Sequence, residues 1–496
     1  MCLLGLMQIA ASRKMMKEVS AMVTETQASP ARKMPAVSNN RMFGNISLFR
    51  KNRVSFLSRV THECGPIGWV YFGPFKMIVI ADANLVQSLM VEHAADNNKP
   101  AGIARAFRTA FAGDGLFTSE GEDWRKQRKL MAPAFTARRV ASYAETMVRY
   151  TEQAQAGWRE GATVEISHEM AALTMRVVGK ALFDAEVFSE ADELGAAVAE
   201  VVTFTGKRTA QLFQLPLAVP TAANRRARQA NAIIQQRVQA MIDERKRSPE
   251  ERNDLLSMLL AAKDEQGQSM DDQQVLTEAL TLFLAGHETT AVALTWAFYL
   301  LANNPASYDK LLAEVDGALQ GRAATYADLA NLPYSAQVVK EAMRLYPPAD
   351  SIARQPLHDY ELGGYRISRW HVPVVDIYSI HHRPDYYPEP ERFNPDRWTA
   401  EFEKSLPRYA YMAFGAGPRI CIGMHFALME AQLLLATICQ HVRFAAQGQG
   451  TVGFSPILTL RPNADVLMKV QRRAAQPAAS SVAPTRLAMV PQPAGR

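Results

Sequence analysis

Apolar residues recur at three- and four-residue spacing along most of the chain, the period of an amphipathic helix. The pattern predicts helices over residues 139–158, 165–184, 226–246, 252–263, 272–302, 306–319 and 424–441. Each ends near a Pro, a Gly or a charged cluster, the usual helix stops. Three stretches read as β instead. Residues 68–81 form two short strands joined at Gly73-Pro74, residues 353–376 turn at Gly363-Gly364, and residues 443–471 form a short β pair. A Pro-rich irregular stretch runs from Pro384 to Trp398. Residues 1–45 read as a flexible leader and residues 473–496 as a disordered Ala/Pro/Ser-rich tail. No internal repeat and no Gly/Ser linker divides the body. Residues 46–472 are therefore expected to form one large domain, mainly α with small β-sheets.

Composition narrows the function classes. Of 496 residues 48% are hydrophobic, and 55 basic residues face 49 acidic ones for a net charge of +6. Such a chain is too apolar and too balanced to be mainly disordered. Its mild basic excess carries no nucleic-acid footprint. The four cysteines, Cys2, Cys64, Cys421 and Cys439, fit neither metal spacing nor a ladder of bridges, and read as free thiols in a reducing compartment. The apolar run Met1–Ala11 is about half a membrane span and precedes its basic residues, the wrong order for a secretory signal. A cytoplasmic protein without a transmembrane anchor is expected.

The candidate chemistry lies in Phe414-Gly-Ala-Gly417-Pro-Arg419-Ile-Cys421-Ile-Gly423, a Gly/Pro-rich loop just before a predicted helix. A nearby Arg and a helix N-terminus both favour thiolate over thiol. Gly417 and Gly423 let the backbone curl around the sulfur and approach a flat ligand. On the Cys and Gly alone, a buried structural cysteine reads as well.

The complete string resembles the haem-binding loop of the cytochrome P450 family at every fixed position. The resemblance implies a P450 fold, a single domain enclosing haem b, with Cys421 as the axial iron ligand. It implies that Arg419 pairs with a haem propionate and that Phe414 packs beside the sulfur. Three further matches follow the family's order. Glu341-Ala-Met-Arg344, with Arg392 in Pro390-Glu-Arg-Phe393, is similar to the structural Glu-Arg-Arg triad. Leu284-Ala285-Gly286-His287-Glu288-Thr289-Thr290, inside an apolar helix, is similar to the oxygen-binding groove. There Thr289 is expected to stabilise bound dioxygen, Glu288 to relay protons, Ala285 and Gly286 to face the haem, and His287 to pack. Thr289 is also expected to bend back to a helix carbonyl and open the helix. Trp124 and Arg128, as Trp-x-x-x-Arg, are expected to reach a propionate, with Arg354 as a third contact. The turn Gly364–Trp370 departs from the family's pattern.

The implied activity is a monooxygenase, placing one oxygen atom from O2 into an apolar substrate by hydroxylation or epoxidation. The lean is to a fatty acid, terpenoid or other lipophilic molecule. Pocket candidates are Phe107, Phe111, Phe117, Phe204, Phe213, Phe283, Ala349, Ile352 and Ile457. No dinucleotide- or flavin-binding region follows residue 430, so NAD(P)H electrons are expected through a separate ferredoxin or flavodoxin and its reductase. Arg125, Lys126, Lys129, Lys404 and Arg408 could form its docking face. A monomer is expected. A peroxide-driven peroxygenase and a haem sensor are the rivals. The Glu288-Thr289 pair argues against both, and the lack of an output domain further against the sensor.

Overall fold

The computed structural model describes residues 32–38, 44–111, 113–184, 193–209, 211, 214–247, 254–448 and 450–474. Phe213, Cys2, most of the expected leader and nearly all of the tail lie outside the described residues.

The chain forms a helical body flanked by small sheets. The helices that position the site are α1 (Arg53–Cys64), α2 (Ala101–Phe111), α3 (Gly121–Met131), α4 (Ile166–Phe183), α5 (Glu193–Thr209), α6 (Ala222–Arg247), α7 (Asp272–Ala302), α8 (Pro333–Leu345) and α9 (Met424–His441). The strands are β1 (Ile67–Phe72), β2 (Phe75–Ile80), β3 (Thr163–Glu165), β4 (Ser351–Ala353), β5 (His371–Asp376), β6 (Val442–Ala446), β7 (Phe454–Pro456), β8 (Leu460–Pro462) and β9 (Leu467–Arg472). One sheet has the order β1-β2-β5-β4, with β2 and β5 parallel and the other pairs antiparallel. A second has the order β6-β9-β3, and β7 pairs with β8 as a hairpin.

Helix α7 is the spine. Its 31 residues span about 46 Å at 1.5 Å per residue. The Asp271 carboxylate caps it by accepting from Gln274 N at 2.7 Å. It is apolar on nearly every face, as a helix surrounded by protein must be. Its C-terminal half shares one core cluster with α4, α8 and α9. Its N-terminal half shares another with α5 and α6.

The predicted helix at 272–302 and the terminal helix at 424–441 appear with those bounds. The helix predicted over 139–158 is divided into Ala137–Ala141 and Ala144–Ala156 around Ser142 and Tyr143. Helices α1, α2, α3 and α5 were not legible in the periodicity. Charged α3 buries only Gln127, Leu130 and Met131, too few apolar positions to form a stripe. Among the described residues no helix is long and apolar enough to cross a membrane.

Trp296 fastens α7 to the β7–β8 hairpin. Its ring is fully buried, stacks on Tyr346 with centroids 3.9 Å apart, and its Nε1 donates to Leu460 O at 2.7 Å. Trp296→Phe keeps the stack and orphans that carbonyl. It should lower unfolding stability by about 1–3 kcal/mol in urea titration; an unchanged midpoint would show that the bond contributes nothing.

Candidate active site

The loop before α9 is wound tightly. Gly415 and Gly417 have φ of 79° and 67°. A Cβ on Gly417 would lie 1.9 Å from Met90 O, so no larger residue fits there. Cys421 N donates to Phe414 O at 3.0 Å and closes the loop. The Cys421 thiol then emerges three residues before Met424, the first residue of α9. Desolvation by the surrounding protein raises its pKa above the ordinary thiol value, outweighing the Gly423 N–H and Arg128, which lower it, although the residue stays open to solvent on one side. The arginine that lowers it is Arg128, not Arg419 two residues upstream. The protein environment alone favours the thiol, and a bound cation would favour the thiolate.

Ala285, in the middle of buried α7, is exposed, as is Cys421, although Leu284 and Glu288 beside Ala285 on the helix are buried. Ile422 and Phe426 pack into the same cluster as Leu280, Phe283 and Leu284, which brings the loop against α7. Ile352 lies 3.6 Å from where a Gly415 Cβ would sit.

The Thr289 hydroxyl donates back to Ala285 O at 3.0 Å, as expected, but α7 runs unbroken through this turn. Glu288 is buried and turns to β8. Its Oε1 accepts from Thr459 Oγ1 at 2.6 Å and from Arg461 Nε at 2.9 Å, while its Oε2 has no partner. His287 packs on Phe283, and burial keeps it neutral.

A cationic cluster lies beside the loop. Arg419 donates to Ser119 O at 3.0 Å, pairs with Glu120 and covers the Trp124 ring at 4.4 Å. Lys99 Nζ is 3.8 Å from Glu120. Burial and the repulsion of Arg419 bring Lys99 down to about 7, despite Glu120. Arg354 is buried, its guanidinium donates to Ala353 O at 3.0 Å, and it is lowered to about 10 by burial and Arg419. Three basic groups share one carboxylate, and once a bound anion keeps Lys99 protonated they leave two positive charges over. Such a surplus fits a dianionic ligand. Lys99 and Glu120 carried no motif and were missed in the sequence. Arg128 turns elsewhere, donating to Ile420 O at 2.9 Å beside the sulfur.

Behind the loop lies a buried ion network. Glu341 accepts from Arg344 Nε and Nη2 at 2.9 Å, Arg397 Nε at 3.0 Å, Trp398 Nε1 at 3.0 Å and Asn394 N at 3.1 Å. The third member of the triad is thus Arg397 and not Arg392. Arg392 is exposed, pairs with Glu389 at 3.1 Å, and gives the network only its carbonyl. The short helical turn Pro395–Arg397 swings Arg397 inward. The sequence signal was the Arg-Trp pair in the Pro-rich stretch. His381 joins this network to the loop: its Nε2 accepts from Met412 N at 2.9 Å, and its Nδ1 faces Arg344 O at 3.2 Å. Burial keeps that imidazole neutral, with a value near 3, so Nδ1 carries the proton and donates.

Of the pocket candidates, Phe107, Phe111 and Phe117 form an aromatic trio with centroids 4.4–5.9 Å apart. Phe117, Ala349 and Ile457 are exposed, and Ile352 is partly so. Phe204 is buried, and Phe283 is fully buried against Phe183 as core. The supposed docking cations are largely paired: Arg125 with Glu122, Lys126 with Asp264 at 2.7 Å, and Lys129 with Glu265.

With this geometry, the sequence matches the profile of the Cytochrome P450 family over residues 34–468. It is 38% identical over 398 residues to a protein named cyclooctatin synthase from Streptomyces melanosporofaciens, spanning 80% of this chain and 86% of the relative. It is 38% identical over 404 residues to cyclooctat-9-en-7-ol 5-monooxygenase of the same organism, spanning 81% and 87%. It is 33% identical over 359 residues to pentalenene oxygenase of Streptomyces avermitilis, spanning 72% and 76%. The chain belongs to the cytochrome P450 family. It is a haem-dependent monooxygenase that uses O2, takes electrons from redox partners and acts on lipophilic substrates.

Two substitutions separate the arginines. Arg397→Leu leaves buried Glu341 short of a partner and should cost about 3–5 kcal/mol. Arg392→Leu should cost no more than about 0.5 kcal/mol. Equal losses in chemical denaturation would contradict the assignment.

Glu430 on α9 gives a pH prediction. It is fully buried, neither oxygen has a hydrogen-bond partner, and burial raises it from 4.5 to about 8, although the nearby Thr290 hydroxyl favours the charged form. The folded state therefore prefers the neutral acid, and stability present below about pH 4.5 is lost as pH rises toward 8. Glu430→Gln escapes that loss, so its melting-temperature advantage over wild type should widen from about pH 5 to about pH 8.5. A constant or shrinking gap would overturn this reading.

Proposed function

We propose that Cys421 is the axial thiolate ligand of haem b, with the Phe414–Gly423 loop on one face and Ala285-Gly286 on the other. The wound loop presenting one thiol beside a cluster of basic groups that outnumbers its carboxylate carries this reading. Arg354, Arg419 and Lys99 hold the propionates, and Trp124 stacks under Arg419. Arg128 steadies the Ile420 carbonyl next to the sulfur. Gly417 and Gly423 give the loop its close approach, and Phe414 packs over the sulfur. Bound haem supplies the iron at which O2 is reduced and from which one oxygen atom passes to substrate.

The chain's own residues manage position and protons. Ala285 leaves room above the cofactor, and apolar α7 excludes bulk water. Thr289 already donates its hydroxyl hydrogen to Ala285 O, so its oxygen is free to accept a proton from one side. Glu288 is the acid of the relay. Its carboxylate is drawn to Arg461, whose half-exposed side chain faces solvent, so delivery to Thr289 requires Glu288 to leave that pair.

The substrate is a lipophilic terpenoid, in keeping with the names of the relatives. Phe117, Ala349, Ile352 and Ile457 form its open apolar wall. Electrons come from NAD(P)H through a separate ferredoxin or flavodoxin and its reductase, and the protein works as a cytoplasmic monomer. The pairing of Lys126 and Lys129 with acids leaves Lys404 and Arg408 as the stronger docking cations.

Cys421→Ser should abolish the absorption band typical of reduced, CO-bound thiolate haem, and its retention would refute the ligand assignment. In the same assay series, Thr289→Ala should divert electrons from product to peroxide; unchanged coupling would remove Thr289 from the proton route.

A further inference from the structure

Glu278 lies on α7 two turns before Ala285, on the same face of the helix. It is fully buried. Its Oε2 accepts from Leu116 N at 2.9 Å and its Oε1 from Gln274 Nε2 at 2.6 Å. Burial raises its carboxyl to about 7, with no cation among the groups that act on it. A buried carboxylate without a cation is costly unless its hydrogen bonds have a use.

Those bonds hold residues 113–119, a strap between α2 and α3. Gln274 Nε2 also reaches Asp114 O at 3.3 Å, and Gln127 Nε2 reaches the same carbonyl at 3.0 Å. The strap lies so close to α7 that a Cβ on Gly115 would come 2.6 Å from Thr281 Oγ1 and 3.1 Å from Glu278 Oε2. Beyond Leu116 the strap carries exposed Phe117, whose ring stands 5.3 Å from Lys99 Nζ. It ends at Ser119, whose carbonyl receives Arg419. One short segment thus runs from α7 past an apolar wall to the cationic cluster.

We propose that Glu278 is a positioning residue that latches the 113–119 strap onto α7, and so sets the width of the substrate cavity at Phe117. The inference rests on the P450 reading of the site. Leu116 N is held by a side chain and not by a regular ladder, so the carboxylate fixes the middle of the strap, between the Asp114 and Ser119 carbonyls held by Gln127, Gln274 and Arg419.

The test uses haem-loaded protein. Hydrogen exchange by mass spectrometry is followed on the peptide containing Leu116, with imidazole and 4-phenylimidazole titrated as iron-binding probes of two sizes. Glu278→Ala should speed exchange in the strap at least about tenfold, leaving α9 unchanged. It should shift 4-phenylimidazole affinity several-fold while imidazole affinity moves less than about twofold. Gly115→Ala, with Glu278 intact, pushes the strap off from the other side and should give the same pattern. It serves if Glu278→Ala fails to fold. Glu278→Gln keeps an acceptor oxygen and should restore most of the protection. Unchanged strap exchange in both Glu278→Ala and Gly115→Ala, or equal shifts for the two probes, would overturn the latch. The reduced CO spectrum of each variant reports separately on the haem-thiolate reading.

Discussion

Glu341 is the buried charge on which the site side of the molecule depends. A carboxylate with no exposure is expensive in a protein interior, and here five donors from two segments meet it. Arg344 passes the constraint on through His381 O and Pro390 O. The His381 ring passes it to Met412 N, at the start of the loop that presents Cys421. Tyr387 adds a parallel tie from its hydroxyl to Ala410 O at 3.1 Å. The sulfur is held by a chain of satisfied polar contacts that begins more than a helix away.

Around the sulfur the electrostatics are deliberately incomplete. The thiol is pushed toward its neutral form by burial, and the flanking cations outnumber their carboxylates. Both imbalances are costly in isolation and both are relieved by one ligand that brings a metal cation and two anionic arms. Glu288 on α7 and Glu430 on α9 are buried acids with unpartnered oxygens. They sit on or against α7, the helix that carries Thr289. The protein thus holds uncompensated polar groups near both the Cys421 loop and the Thr289 turn of α7, where chemistry can use them.

Much of this was legible in the sequence because two kinds of signal are local. The apolar run 272–302 is long enough to fix a helix unaided, and the Gly/Pro spacing around Cys421 fixes a loop. Contacts set by tertiary geometry were not legible. Arg392 and Arg397 are five residues apart in one Pro-rich stretch, and only the turn at Pro395 decides which faces Glu341. Lys99 and Glu120 meet because the strap crosses α7, which no spacing encodes. Phe283 reads as a pocket residue from its place beside Ala285, yet the helix turns it toward Phe183.

The central claim is that the Phe414–Gly423 loop delivers one sulfur to haem iron. X-ray absorption at the iron edge of the reconstituted protein tests it most directly. The account predicts a single sulfur scatterer in the iron's first shell beside the porphyrin nitrogens. A shell of nitrogen and oxygen alone would contradict it.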